Sequence, residues 1–89
     1  MSYKIDYSQK AEKDIAELMR SGNKPLLQKL TNLLSELEIH PQTGTGKPER
    51  LKHGKSGLWS RRISGEHRLV YSIEENIVKV IVISAKGHY

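Results

Sequence analysis

Between positions 26 and 37, leucine recurs at Leu26, Leu27, Leu30, Leu33, Leu34 and Leu37, and these intervals of three and four match only the period of a helix. So wide an apolar stripe must be covered. A second copy of the chain could cover it as a dimerising seam, but in a domain of 89 residues a leucine face more often serves as the core. Core is the reading adopted. Pro25 suits the first turn of this helix, which runs to about Ile39. Upstream, Ser8 fits an N-cap, and Ala11, Ile15, Leu18 and Met19 form a shorter stripe that ends near Ser21 and Gly22. Before that, Tyr3, Ile5 and Tyr7 alternate with Lys4 and Asp6, the period of a half-buried strand.

After His40 and Pro41 the chain changes character. Turn formers continue to Gly46, and Gly54 and Gly57 interrupt the segment before Leu58. Residues 58–63, 67–73 and 77–84 are rich in β-branched and aromatic side chains and are separated by Ser64-Gly65-Glu66 and Glu74-Glu75-Asn76. Connections this short pair consecutive strands antiparallel, giving a meander to which the first strand adds an edge. The expected fold class is α+β: two N-terminal helices on one face of a mainly antiparallel sheet of about four to five strands. One domain spans residues 1–89, with no repeat and no linker. The other face of the sheet is left for a ligand.

Charge indicates which ligand. Residues 46–71 hold seven cations, Lys47, Arg50, Lys52, Lys55, Arg61, Arg62 and Arg68, against only Glu49 and Glu66. That excess equals the formal +5 of the whole chain, so the charges elsewhere cancel. An excess confined to one block points to a polyanion. With no Cys, disulfides, thiolate catalysis and cysteine-based zinc sites are excluded. The start lacks an apolar run of signal-peptide length and no segment approaches a membrane span, so a cytoplasmic protein without membrane association is expected.

Period two sorts the strand residues by face. Leu69, Tyr71 and Ile73 belong under the helices, which turns Arg68, Val70 and Ser72 to the open face. A cation in mid-strand is costly unless solvated or paired with an anion. In the preceding strand Ser60 and Arg62 oppose Arg61 and Ile63, and only the register decides which arginine joins Arg68.

Cleaving RNA without a metal needs a base for the 2′-hydroxyl proton, cations for charge developing on phosphorus, and an acid for the leaving 5′-oxygen. Glu49, Arg68 and His88 supply one of each. On composition alone a plainer alternative stands ahead of it: a solvated turn carboxylate, a surface arginine and a C-terminal histidine. His53 and His67 read as turn and strand histidines, and Trp59 as core rather than a stacking platform. The four histidines, at 40, 53, 67 and 88, show no i, i+4 pair, so neither a metal nor another cofactor is expected. Ser56-Gly57 and Ser64-Gly65 lack the context of a nucleophile elbow, and Gly44-Thr45-Gly46-Lys47 is too short for a phosphate-binding loop.

The segments Gly46-Lys47-Pro48-Glu49, Leu51-Lys52-His53, Ser56-Gly57, Trp59-Ser60-Arg61-Arg62-Ile63, Glu66-His67-Arg68-Leu69-Val70-Tyr71 and His88-Tyr89 together resemble the YoeB/Txe branch of the RelE-like toxins. The tail departs from that pattern in Ala85-Lys86-Gly87. The resemblance implies the toxin of a type II toxin-antitoxin pair, a metal-independent endoribonuclease cutting mRNA in the A site of the 70S ribosome. Cyclic 2′,3′-phosphate and 5′-hydroxyl ends are the implied products. Glu49 resembles the general base, Arg68 the transition-state stabiliser, His88 the general acid and Tyr89 the aromatic beside the scissile nucleotide. Lys52, Lys55, Arg61 and Arg62 are the candidate nucleic-acid contacts. A YefM/Phd-like antitoxin and a homodimer are further implied. A free-standing ribonuclease and a non-catalytic RNA-binding module are the alternatives.

Overall fold

The computed structural model describes residues 2–51 and 57–85. β1 (Lys4–Tyr7) leads into α1 (Gln9–Arg20) and α2 (Lys24–Ile39), followed by β2 (Glu49–Arg50), β3 (Leu58–Arg62), β4 (Arg68–Glu74) and β5 (Lys79–Ser84). The helix boundaries follow from their caps. Ser8 Oγ accepts from the Ala11 amide at 3.0 Å, and Asn23 Oδ1 accepts from the Leu26 amide at 3.2 Å with Pro25 in the first turn. Gly22, at φ 70°, turns the chain between the helices.

The sheet order is β1-β5-β4-β3-β2. β2 to β5 form the antiparallel meander, while β1 lies parallel to β5, with Lys4 opposite Lys79 and Tyr7 opposite Val82. A parallel neighbour is possible here because both helices and three strands intervene in sequence. Leu30, Leu33 and Leu37 are buried against Ala11, Leu18, Leu69, Tyr71, Val80 and Val82, with Leu26, Leu27 and Leu34 packed at the edge. The leucine stripe is therefore core. Trp59 packs partly buried against this cluster, its ring 6.0 Å from the Arg50 guanidinium. Among the described residues no helix is long and apolar enough to cross a membrane.

Three local expectations need correction. β2 was not anticipated, because two residues carry no readable period. The last strand starts at Lys79 rather than Ile77, since Glu75–Ile77 close a 3-10 turn and Val78 adopts a left-handed φ of 50°. Met19, counted in the first helical stripe, stands 62% exposed at its rim, where it lines a shallow apolar groove with Tyr7, Ile15 and Leu34.

The far end of the sheet is fastened to the first helix. Ser8 Oγ donates to the Ile83 carbonyl at 2.7 Å, and the buried Asp14 carboxylate accepts from the Ala85 amide at 3.1 Å and from Lys10 at 2.7 Å. Replacing Ser8 by Ala removes a cap and a cross-link, with an expected loss of about 0.5–2 kcal/mol. Leu33→Ala, which opens a core cavity, should lose about 2–5 kcal/mol. Urea unfolding measures both; equal midpoints for the two variants would show that the cap and its cross-link matter as much as the core leucine.

Candidate active site

Register settles which side chains meet on the open face. Glu49 on β2 is opposite Ser60 on β3, Ser60 is opposite Val70 on β4, and two residues further along Arg62 is opposite Arg68. All five project to the same side. Arg68 reaches diagonally across the pleat, its Nη1 donating to Glu49 Oε1 at 3.3 Å and to Ser60 Oγ at 3.4 Å. The Glu49 side chain is 61% exposed and that of Arg68 25%. A carboxylate this open contributes little to stability through its ion pair, but it can accept a proton beside a fixed cation. Arg62 and Arg68 face each other as like charges, an arrangement that an anion between them would relieve.

Arg61 is on the other side, which corrects its assignment as a nucleic-acid contact. It is fully buried beneath loop 40–48, and every direction of its guanidinium is occupied. Nη2 donates to the carbonyls of His40 and Thr43, both at 2.6 Å, and Nη1 to Glu36 Oε1 at 2.8 Å and the Thr45 carbonyl at 3.4 Å. Nε donates to the Tyr71 hydroxyl at 3.1 Å, which itself donates to the Pro41 carbonyl at 2.7 Å. No N–H is left for a phosphate. Burial pushes the Glu36 carboxyl up, but hydrogen bonds from Thr45 and the Arg61 guanidinium outweigh it and hold Glu36 below its usual range. The Tyr71 hydroxyl is raised by the same burial, against the influence of Arg61.

Of the other expected site residues, Lys52, Lys55, His88 and Tyr89 lie outside the described residues. So does His53. Reading by residue type passed over Ser60, whose hydroxyl accepts from Arg68; its place on the face of Arg62 was visible, but its partner depends on register. A cavity of about 770 Å³ lies elsewhere, between the helix ends and the β3–β4 turn, lined by Leu18, Asn23, Leu26, Ser64 and His67. Neither Glu49 nor Arg68 lines it. Among the described residues no three His, Cys, Asp or Glu side chains gather as a metal set.

The family described as the YoeB-like toxin of bacterial type II toxin-antitoxin systems matches residues 7–89. This chain belongs to that family. The toxin YoeB of Synechocystis is 43% identical over 70 residues, 79% of this chain and 79% of that one. A solved YoeB/ParE toxin from Agrobacterium tumefaciens superposes with a TM-score of 0.85 at 32% identity, covering 97% of this chain and 99% of the other. A Staphylococcus aureus YoeB has been solved as a dimer, with a TM-score of 0.81 at 34% identity. A YoeB-YefM complex from Staphylococcus aureus has also been solved, with a TM-score of 0.79 at 36% identity; each match covers 98% of both chains. Two helices on a five-stranded mixed sheet are thus the RelE/YoeB-like fold, and this YoeB-like chain is the toxin of a type II toxin-antitoxin system.

The buried cluster generates a prediction about pH. Because the native Glu36 value is depressed, its contribution to stability is complete above the ordinary 4.5 and is lost as pH falls through the lowered native value. The urea midpoint of the wild type should therefore drop more between about pH 5 and about pH 3 than that of Glu36→Gln, which cannot titrate there. Parallel curves would remove Glu36 as a source of acid sensitivity.

Proposed function

We propose that this toxin is a metal-independent endoribonuclease that cuts mRNA in the A site of the 70S ribosome and so stops translation. The observation that carries the reading is the Glu49 carboxylate held 3.3 Å from the Arg68 guanidinium on an open sheet face that also presents Arg62. In the reaction Glu49 takes the proton of a 2′-hydroxyl, and the freed oxygen attacks the adjacent phosphorus. The bond from phosphorus to the 5′-oxygen then breaks. Arg68, aided by Arg62, stabilises the extra negative charge on the phosphorane, and His88 gives a proton to the leaving oxygen. A cyclic 2′,3′-phosphate and a 5′-hydroxyl result, with no water consumed.

Tyr89 stacks beside the scissile nucleotide, and Lys52 and Lys55 dock against ribosomal RNA as phosphate contacts. The +5 charge of the chain gives that docking its long-range steering. The natural restraint is a YefM/Phd-like antitoxin, supported by the solved complex of the Staphylococcus aureus relative with YefM. An acidic segment of such a partner complements the basic block. A homodimer is supported by the solved YoeB dimer from Staphylococcus aureus. The protein acts in the cytoplasm, where translating ribosomes are.

Single-turnover cleavage of a ribosome-bound message tests the assignment. Glu49→Gln, Arg68→Ala and His88→Gln are each expected to slow it by roughly a hundredfold to ten-thousandfold. A 2′-deoxy nucleotide before the cut should abolish cleavage, because the nucleophile itself is missing. Undiminished cutting of the deoxy message would exclude the mechanism, and equal cutting without ribosomes would exclude their requirement.

A further inference from the structure

We infer that Arg61 is a positioning residue for Glu49: from the helix side of the sheet it fixes the conformation of loop 40–48, which delivers the carboxylate to the opposite face. The inference rests on the proposed role of Glu49 as the base. Glu49 has little of its own to hold it, being largely exposed and on a strand of two residues. Its placement must come from the backbone that leads into it.

That backbone is wrapped around a cation. Arg61 takes the carbonyls of His40, Thr43 and Thr45, and Tyr71, bonded to the same guanidinium, takes that of Pro41. Glu36 Oε1 closes the arrangement by accepting from both Arg61 and the Thr45 amide at 2.8 Å. A loop normally leaves such groups to water; here four carbonyls and an amide turn inward to one buried cluster. The next residue is pinned to the sheet as well. The Gly46 carbonyl accepts from the Arg62 amide at 2.7 Å, and a Cβ on Gly46 would come within 2.9 Å of the Arg62 carbonyl. Gly46 at φ 83° and Lys47 at φ 52° then turn the chain towards Pro48 and Glu49.

The choice of residue supports the inference. An apolar side chain would fill the same volume without the desolvation of a guanidinium, so what the buried arginine adds is a single loop geometry. β3 couples the two faces directly. Ser60, which is opposite Glu49 and bonded by Arg68, precedes Arg61, and Arg62 follows it. Loosening the cluster therefore shifts Glu49 relative to Arg68 without removing any group that meets RNA.

The test uses the full chain on 70S ribosomes carrying a message, measuring single-turnover cleavage, ribosome affinity and thermal melting for each variant. Glu36→Ala should slow cleavage by roughly tenfold to a hundredfold, as for displaced catalytic groups. Its ribosome affinity should stay within about twofold of wild type. Glu36→Gln keeps an oxygen that accepts from Arg61 and Thr45, and should recover most of the rate. On a Glu49→Gln background, Glu36→Ala should cause no further loss, because the group it displaces is already gone. A folded Glu36→Ala protein that cleaves at the wild-type rate, or that slows the Glu49→Gln background by its full factor, overturns the inference. Should Glu36→Ala melt below the assay temperature, Tyr71→Phe, which deletes one hydroxyl, takes its place with a severalfold loss expected; a wild-type rate there overturns it equally. A slow Glu49→Gln beside a fast Glu36→Ala removes the positioning role alone, whereas a fast Glu49→Gln removes the base assignment and the inference with it.

Discussion

A guanidinium buried beneath a loop organises this domain. Arg61 has no exposed surface, and its partners come from α2, from loop 40–48 and from β4. Removing one member of such a pair leaves an uncompensated charge and costs about 3–5 kcal/mol, a large share of the 5–15 kcal/mol typical of a small domain. The leucine core determines that the helices lie on the sheet; the arginine cluster determines how the chain crosses from the helices into it. Without that crossing β2 has no defined register, and the open face loses the Glu49 carboxylate from that edge.

The two faces of the sheet treat their arginines in opposite ways. On the helix side Arg61 is neutralised by Glu36 and by carbonyl dipoles, and it is fully enclosed. On the open side Arg62 and Arg68 are left opposite one another with Glu49 to one side. Alternation along β3 separates structural from surface charge within two adjacent residues. A basic block that looks uniform in sequence is thus divided, and only part of it is available to a polyanion.

Much of this was legible in the sequence, for identifiable reasons. The helices could be read because Ser8 caps the first, Pro25 opens the second and the leucines repeat with an unbroken helical period. The meander could be read because residues 63–67 and 75–78 leave room only for tight connections. The faces of β4 were readable by alternation, placing Leu69 and Tyr71 inward and Arg68 outward. The choice between Arg61 and Arg62 was not, because it depends on a register set by contacts from Glu36, 25 residues away, and from loop 40–48. β2 was hidden for the same reason: pairing with β3 defines it, and a segment that short shows no periodicity of its own.

The attachment of the first strand to the last has a consequence for biosynthesis. Lys4 to Tyr7 pair with Lys79 to Val82, and the bonds from Ser8 to Ile83 and from Ala85 to Asp14 close loops of 75 and 71 residues. Contacts so distant in sequence form late, after the local ones. The helices and the early hairpin can assemble while the chain is still emerging, but the sheet cannot take its final order until β5 has been made. A truncated product therefore lacks the strand that joins the N-terminal layer to the meander. The N-terminal layer and the meander become one sheet only when that strand is in place.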